Sequence, residues 1–359
     1  MLHLDRPQAE SACTVTLTAT VDLVVRARAR RSLRRRVVIG TLSVLVLVAI
    51  AVSLMVGQRF YPPGDVLAVI FGERVPGASF TVGRLRLPRA VLALLVGLSF
   101  GLGGVTFQTM LRNPLASPDL IGISAGASAA AAFAIVTFSL SGVAVEVFAV
   151  TAGLGVALLI YVLSYRGGVA GTRLILVGIA IAAMLDSAIN WVLSRAGEWD
   201  LQQVLRWLTG SLNGVGWSDV VSVLCAVVVL GPLLLAQTRR LATMQLGDDA
   251  ASALGVRLDV TRVLVIVSAV GLISFATAAT GPIAFVAFLS GPIAARLVGP
   301  SGSLMIPAAL VGALLVLVGD FTGQFLLGER YPVGIVTGVL GAPYLIYLII
   351  RTNRAGGSL

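Results

Sequence analysis

Histidine, cysteine and lysine are scarce or absent in this 359-residue chain, and each scarcity excludes a kind of chemistry. The one histidine, His3, and Cys13 lie near the N-terminus, whereas Cys225 lies inside an apolar run. This spacing provides neither a disulfide framework nor a cluster of metal ligands. All 26 basic residues are arginine, and the phosphate-binding loop of ATPases requires a lysine after its glycines. We therefore expect no catalytic residue, no metal and no cofactor bound to this chain, and any energy from ATP has to come from a partner.

Charged residues are also scarce: they make up 12% of the chain, against 57% apolar residues and a mean hydropathy of +0.99. Soluble domains contain roughly 25% charged residues, so this composition excludes an ordinary soluble protein. A helix that spans a bilayer needs about 20 mainly apolar residues. Hydropathy predicts an all-α polytopic membrane protein with about ten transmembrane helices, over residues 37–56, 89–110, 120–140, 143–165, 172–193, 220–236, 262–280, 281–298, 304–325 and 333–350.

The arginines are distributed unevenly between the two sides of this membrane domain. Residues 1–36 form a polar tail that ends in an arginine-rich run, and the apolar run that follows is too long for a signal peptide. With that tail in the cytoplasm, 18 arginines lie on the cytoplasmic side and 8 outside, which agrees with the positive-inside rule. We predict cytoplasmic tails at 1–36 and 352–359 and a multi-pass domain at 37–351. The net charge of +10 is dispersed over loops, so it does not indicate a nucleic-acid partner.

Three connections between the predicted spans are long. Residues 57–88 and 196–219 are expected outside, and the second of them contains an amphipathic stretch with tryptophans suited to a membrane interface. Residues 237–261 are expected in the cytoplasm. Between two glycines, this loop offers about two turns of helix over 248–254, with acidic residues in the first turn.

The densest polar motif is a proline-containing hairpin after the second predicted span, Asn113-Pro114-Leu115-Ala116-Ser117-Pro118-Asp119. Its prolines end one helix and begin the next, so by itself the motif indicates a tight helix hairpin with a polar cap. Arg86-Leu87-Pro88-Arg89 begins the same span, and Gln108 lies near its end. Further blocks follow in order: Leu176-Val177-Gly178-Ile179-Ala180, the loop sequence from Leu246 to Val256, Gly281-Pro282-Ile283-Ala284-Phe285-Val286, Pro332-Val333-Gly334-Ile335-Val336-Thr337 and Gly341-Ala342-Pro343.

Together these blocks resemble the permease family of type II ATP-binding-cassette importers, which take up ferric siderophores, haem and cobalamin. The resemblance covers residues 37–351 and implies the type II importer permease fold in a bacterial cytoplasmic membrane. It also implies a second permease chain, two cytoplasmic ATPase subunits that bind ATP and Mg, and an extracytoplasmic substrate-binding protein. We expect a heterodimer, with a homodimer as the alternative, because Ser290-Gly291-Pro292 stands where many members have a proline-histidine pair.

The resemblance also assigns roles to residues. The cytoplasmic loop forms a coupling helix that sits in a groove of the ATPase, with Leu246, Gly247, Asp248, Asp249, Ala250, Ala251, Leu254 and Gly255 as its contact residues. The binding protein docks through acidic residues on Arg86, Arg89 and Arg330, although Gln324 stands where a further docking arginine is common. The cytoplasmic gate is formed by Asn113, Leu115, Gly171 and Thr172.

The main alternative is an ion-coupled secondary transporter. Charged groups inside a bilayer are costly and therefore indicate coupling sites, and Asp186, Asp320 and Glu146 are the candidates here. We expect a structural role for Asp186 and Asp320, because no motif surrounds them and no intramembrane histidine accompanies them. The cargo stays open between catecholate and hydroxamate chelates, haem and cobalamin, with a ferric siderophore favoured by the resemblance.

Overall fold

The computed structural model describes residues 6–118, 122–165, 171–299 and 302–354, and all its regular elements in these ranges are helices. Asp119 of the hairpin, His3 and the last five residues of the C-terminal tail lie outside them. The elements are α1 (Arg6–Met55), α2 (Pro63–Ile70), α3 (Ala78–Phe80), a π-helical turn (Thr81–Arg86), α4 (Leu87–Met110), α5 (Ile123–Phe138), α6 (Val143–Ser164), α7 (Gly171–Leu193), α8 (Glu198–Leu208), α9 (Trp217–Ala236), α10 (Thr238–Met244), α11 (Asp248–Ala253), α12 (Leu258–Thr280), α13 (Val286–Val298), α14 (Met305–Phe325) and α15 (Val333–Arg354).

Seven helices in the described residues are long and apolar enough to cross a membrane, and three further apolar helices are shorter. The short ones are Ile123–Phe138, Val286–Val298 and Val333–Leu348. Each of the ten predicted segments therefore contains an apolar helix, while the count of ten membrane crossings stays a prediction. Helix α1 begins at Arg6, far before the predicted first span, so its helical conformation continues through the arginine-rich run.

The predicted span 281–298 was wrong at its start, because the helix begins only at Val286. Gly281 has a φ of 72° and Phe285 a φ of 65°, both in the left-handed region, and Pro282 has no backbone N–H to donate. Hydropathy does not register these backbone conformations. Residues 281–285 consequently form a non-helical link between α12 and α13, which we call the α12–α13 link.

Helix α4 is the central element of the fold, and most of it is buried inside the protein. A methyl group on Gly97 or Gly101 would overlap the backbone of α14, at Ala313 and Ala308 respectively, and one on Gly104 would overlap α13. In a bilayer, helices associate through close packing rather than through the hydrophobic effect, so small residues mark the contact face. The glycines of α4 therefore set its approach to α13 and α14.

A side chain of α4 also repairs a break in α13. Pro292 lies inside α13 and has no N–H to donate to the carbonyl of Phe288, four residues earlier. Gln108 Nε2 donates a hydrogen bond to that oxygen, at 2.9 Å in a buried position. Gly291 leaves the space for the amide, because a Cβ there would overlap Gln108 Oε1.

Replacing Gln108 with leucine should lower the free energy of unfolding by about 1 to 3 kcal/mol, because a buried carbonyl loses its partner. In a Pro292→Ala background the new N–H can bond to Phe288, so the same substitution should cost less there. Denaturant unfolding of the four purified proteins in detergent measures both differences. Equal costs in the two backgrounds would contradict this account.

Candidate functional site

The ends of the helical bundle carry the polar residues that the sequence singles out. We call the end with residues 57–88 and 196–219 the docking end, and the end with residues 237–261 the coupling end. At the docking end, Arg86, Arg89 and Arg330 line one cleft of about 200 Å³, together with Asp320 and Gln324. The structure thus brings the three predicted docking arginines together, and Arg330 is the exposed one of the three.

Arg86 uses its guanidinium to hold the end of α1. Its Nη1 donates to the carbonyls of Leu54 and Met55, at 2.8 and 3.0 Å, and its Nη2 donates to the carbonyl of Arg59 at 2.8 Å. The last carbonyls of a helix have no partner within the helix, so these bonds satisfy groups that need one. Arg86 is half-buried and lies 5.2 Å from the centre of the Tyr61 ring. Its observed contacts are therefore structural.

Arg89 forms a two-pronged ion pair with Asp320 of α14. Arg89 Nε lies 2.7 Å from Asp320 Oδ2, and Nη2 lies 2.7 Å from Oδ1. The remaining Nη1 donates to Asn213 Oδ1 at 2.8 Å, and Gln324 donates to the same oxygen at 3.2 Å. This network joins α4, α14 and the loop between α8 and α9. The predicted structural role of Asp320 agrees with its geometry, and the sequence reasoning missed its partner.

Replacing Asp320 with alanine should destabilise the protein by about 2 to 4 kcal/mol, because it leaves the guanidinium of Arg89 without its counter-charge. The side chains of the pair are only 22% and 11% exposed, so water replaces the lost partner poorly. The double variant Arg89→Met/Asp320→Leu should recover most of the loss, since it removes both charges. Thermal unfolding in detergent compares the three proteins, and a double variant less stable than Asp320→Ala would contradict the prediction.

Between the two ends lies an apolar cavity of about 530 Å³. Its wall includes Leu115 from the hairpin, Phe285 from the α12–α13 link and Leu208 at the end of α8. The rings of Phe285 and Phe288 pack edge to face, with centroids 6.3 Å apart. The other lining residues are Ser117, Ser124, Pro282, Ile283, Ala284, Phe288 and Leu345. The lining residues of this cavity that the structure describes include no charged side chain.

The α12–α13 link is held at the docking end by backbone contacts. Ser211 N donates to the carbonyl of Thr280 at 2.7 Å, and Gly334 N donates to the carbonyl of Gly210 at 3.1 Å. Gly281 packs against the carbonyl of Trp207 so closely that a Cβ would overlap it. The segment after α8 is thereby attached both to the link and to the start of α15.

The predicted gate residues occupy two elements. Asn113 Oδ1 accepts a hydrogen bond from Leu115 N at 2.9 Å, which closes a tight turn after α4. Gly171 begins α7, and Thr172 is exposed. The α5 end of the hairpin approaches α7 at Gly122, beside the backbone of Gly178. Leu115 is the gate residue that lines the cavity.

The coupling end carries a short helix, α11, with two exposed leucines beside it. Leu246 and Leu254 are 68% and 66% exposed. Asp249, Ala250 and Gly255 are exposed as well. Ala251, expected to contact a partner, is instead fully buried, because it faces the body of this chain and anchors the helix. We call the exposed group Leu246, Asp249, Ala250, Leu254 and Gly255 the coupling knob.

Asp248 begins α11 and connects it to two other elements. Arg112 Nη2 lies 2.6 Å from Asp248 Oδ1, and Arg262 Nη2 lies 2.5 Å from Oδ2. Arg112 lies two residues after the end of α4 and directly before the hairpin, whereas Arg262 lies in α12. The sequence reasoning assigned Asp248 to a partner contact and missed both ion pairs.

Seven helices in the described part of the chain, long and apolar enough to cross a membrane and packed around an apolar cavity, are the architecture of an α-helical multi-pass membrane protein. The chain belongs to the FecCD transport family, whose model matches residues 45–351. It is 36% identical to the ferric enterobactin transport system permease protein FepG of Escherichia coli K12, covering 81% of this chain and 88% of that one. It is 33% identical to FepD, named as a permease protein of the same system, covering 90% and 97%.

A solved structure has the same fold. The chain matches an inward-facing putative metal-chelate type ABC transporter with a TM-score of 0.79 and 26% identity, covering 87% of this chain and 98% of that one. Membership of the FecCD transport family and the fold shared with an ABC transporter favour an ABC permease over an ion-coupled secondary transporter. Asp320 agrees with this, since its carboxylate is paired with Arg89.

Proposed function

We propose that this chain is the membrane subunit of an ATP-driven importer that carries ferric siderophores across a bacterial cytoplasmic membrane by alternating access. The observation that carries the proposal is the coupling knob, an exposed apolar projection in a permease of the FecCD transport family. The proposed cargo class, ferric siderophores, is inferred from the relatives FepG and FepD, which are named for ferric enterobactin transport.

The coupling knob is the surface for the ATPase. Two leucines of about two-thirds exposure flank a six-residue helix, and exposed leucines of this kind are suited to a groove on another protein. Two ATPase subunits bind ATP and Mg, because this chain has no lysine for a phosphate-binding loop. Both termini lie on the same cytoplasmic side as the knob.

A second permease chain completes the transport path. Asp186 is exposed on α7, and a carboxylate that faces lipid is costly, so this face of α7 lies against a second subunit or an aqueous path. The apolar cavity then forms one half of a larger chamber. The similarity of this chain to two permease proteins of one ferric enterobactin system favours a heterodimer.

The docking end receives the substrate-binding protein. Arg330 is exposed beside the cleft, Arg86 adds a positive charge while it holds the end of α1, and Arg89, whose charge is balanced by Asp320, holds α4 to α14. Exposed ion pairs contribute only about 0.2 to 1 kcal/mol each, so these arginines orient and steer an acidic partner more than they hold it. The apolar cavity wall then releases the chelate without retention by fixed charges.

Affinity purification of the tagged chain from its native membrane tests the proposal directly. We expect an ATP-binding-cassette subunit and a second permease of different mass to co-purify, and liposomes with these subunits and the binding protein to take up radio-iron-labelled ferric enterobactin when ATP is supplied. Recovery of one permease only would indicate a homodimer. Recovery of the chain alone, with uptake that follows a proton gradient, would overturn the proposal in favour of a secondary transporter.

A further inference from the structure

Two of the three ion pairs in the described part of the chain share a single carboxylate, that of Asp248. One oxygen is bonded to Arg112 and the other to Arg262, so the carboxylate bridges the turn after α4 and helix α12, which are far apart in sequence. Arg262 is only 10% exposed, whereas Asp248 and Arg112 are each 43% exposed. The Arg262 contact is therefore a sheltered anchor, and the Arg112 contact lies at the surface, where it can break and form.

Arg112 occupies an unusual backbone position. Its φ is 52°, in the left-handed region, and it follows the last residues of α4. Asn113 N bonds to the carbonyl of Gln108 at 3.0 Å, and Arg112 N bonds to that of Thr109 at 3.3 Å. These two bonds define a Schellman motif, in which the left-handed position usually belongs to glycine. An arginine there carries a backbone strain that glycine would avoid, and this motivates a functional role for its side chain.

The side chain of Arg112 reaches from the gate hairpin to the coupling helix. Its backbone is joined directly to Asn113, which fixes the turn that carries Leu115 to the cavity wall. Its guanidinium holds the first residue of α11, whose neighbours form the coupling knob. One ion pair thus connects the surface proposed for the ATPase with the wall of the cavity.

We propose that the Asp248–Arg112 pair transmits movement of the coupling helix to the gate hairpin, with Arg262 as the fixed point on α12. This inference rests on the proposed function, since it requires an ATPase that moves α11. Asp248 and Arg112 act as positioning residues: they touch neither cargo nor ATP. Because exposed ion pairs add little stability, loss of the Arg112 contact should leave the fold intact and separate ATP hydrolysis from transport.

The test uses the complete importer in liposomes, with radio-iron-labelled ferric enterobactin as the probe and iron imported per ATP hydrolysed as the readout. In Arg112→Met and Asp248→Asn we expect this ratio to fall about fivefold or more, while the ATPase still co-purifies with the permease. The double variant should be no worse than Asp248→Asn alone, because Asp248→Asn already removes the ion pair to Arg112 together with the one to Arg262. Arg257→Met, at an exposed arginine of the same loop, is the matched control and should keep the wild-type ratio.

Amide hydrogen exchange gives a second readout on the same complexes. In the wild type, ATP with vanadate should change exchange both in α11 and in residues 113–118, whereas in Arg112→Met only α11 should respond. An unchanged transport ratio, or a hairpin that still responds in Arg112→Met, would overturn the inference. Loss of the ATPase from Asp248→Asn would also overturn it, because Asp248 would then be a docking residue. If the wild-type chain itself binds no ATPase, the proposed function fails before these variants are compared.

Discussion

Replacing Leu254 with aspartate is expected to abolish ATP-driven uptake while the protein stays folded. The side chain is 66% exposed, so the change does not disturb the core. In the proposed complex, the carboxylate would be buried against the ATPase without a counter-charge, which is strongly unfavourable. Central apolar contacts of an interface contribute about 2 kcal/mol or more, so association should weaken by roughly 30-fold or more. Co-purification of the ATPase and uptake into liposomes measure the two effects.

The matched control for this experiment is Phe71→Asp. Phe71 is also an exposed apolar residue, but it follows α2 at the docking end, away from the knob. It should retain the ATPase at the wild-type level. Normal ATPase binding by Leu254→Asp, or equal loss in both variants, would contradict the assignment of the coupling knob.

Replacing Gly101 with leucine is expected to remove nearly all folded protein from the membrane. A Cβ at this position would overlap the backbone of α14 at Ala308, and backbone cannot move aside as a flexible side chain can. Overpacking typically costs about 1 to 3 kcal/mol and occasionally more. Here the leucine would push α4 and α14 apart along their contact face. We expect the monodisperse peak in size-exclusion chromatography to disappear.

Gly40→Leu serves as the control for that substitution. Gly40 lies in the apolar part of α1 and has nothing within 4 Å of an added Cβ, so the same change meets open space. It should purify like the wild type. A normal yield of Gly101→Leu would show that α4 and α14 can separate, and would contradict the close packing described above.

The helices could largely be predicted from the sequence because membrane spans are defined by continuous apolar length. Most boundaries differ by only a few residues from those observed, as in α6, predicted at 143–165 and found at Val143–Ser164. The exceptions have local causes. The α12–α13 link depends on left-handed backbone at Gly281 and Phe285, and the extension of α1 to Arg6 is invisible to a hydropathy window.

The candidate site was predictable only in part. Sequence blocks indicated which residues belong to each end, and the structure brings Arg86, Arg89 and Arg330 to one cleft. The ion pairs were not foreseen, because Arg112 and Asp248 are brought together by tertiary packing alone. The predicted topology was a usable signal for Arg89 and Asp320, since it put the start of one span and the end of the other on the same side of the membrane.

The backbone of Arg112 has a consequence for attempts to make this protein more robust. Glycine adopts the left-handed conformation without the penalty of about 1 to 2 kcal/mol that other residues incur there. Arg112→Gly should therefore raise the thermal stability, because it relieves the backbone strain in the turn after α4. It would also cut the link to Asp248. By the inference above, a permease thermostabilised in this way would unfold at a higher temperature but import less iron per ATP hydrolysed, an instance of stability gained at the expense of activity.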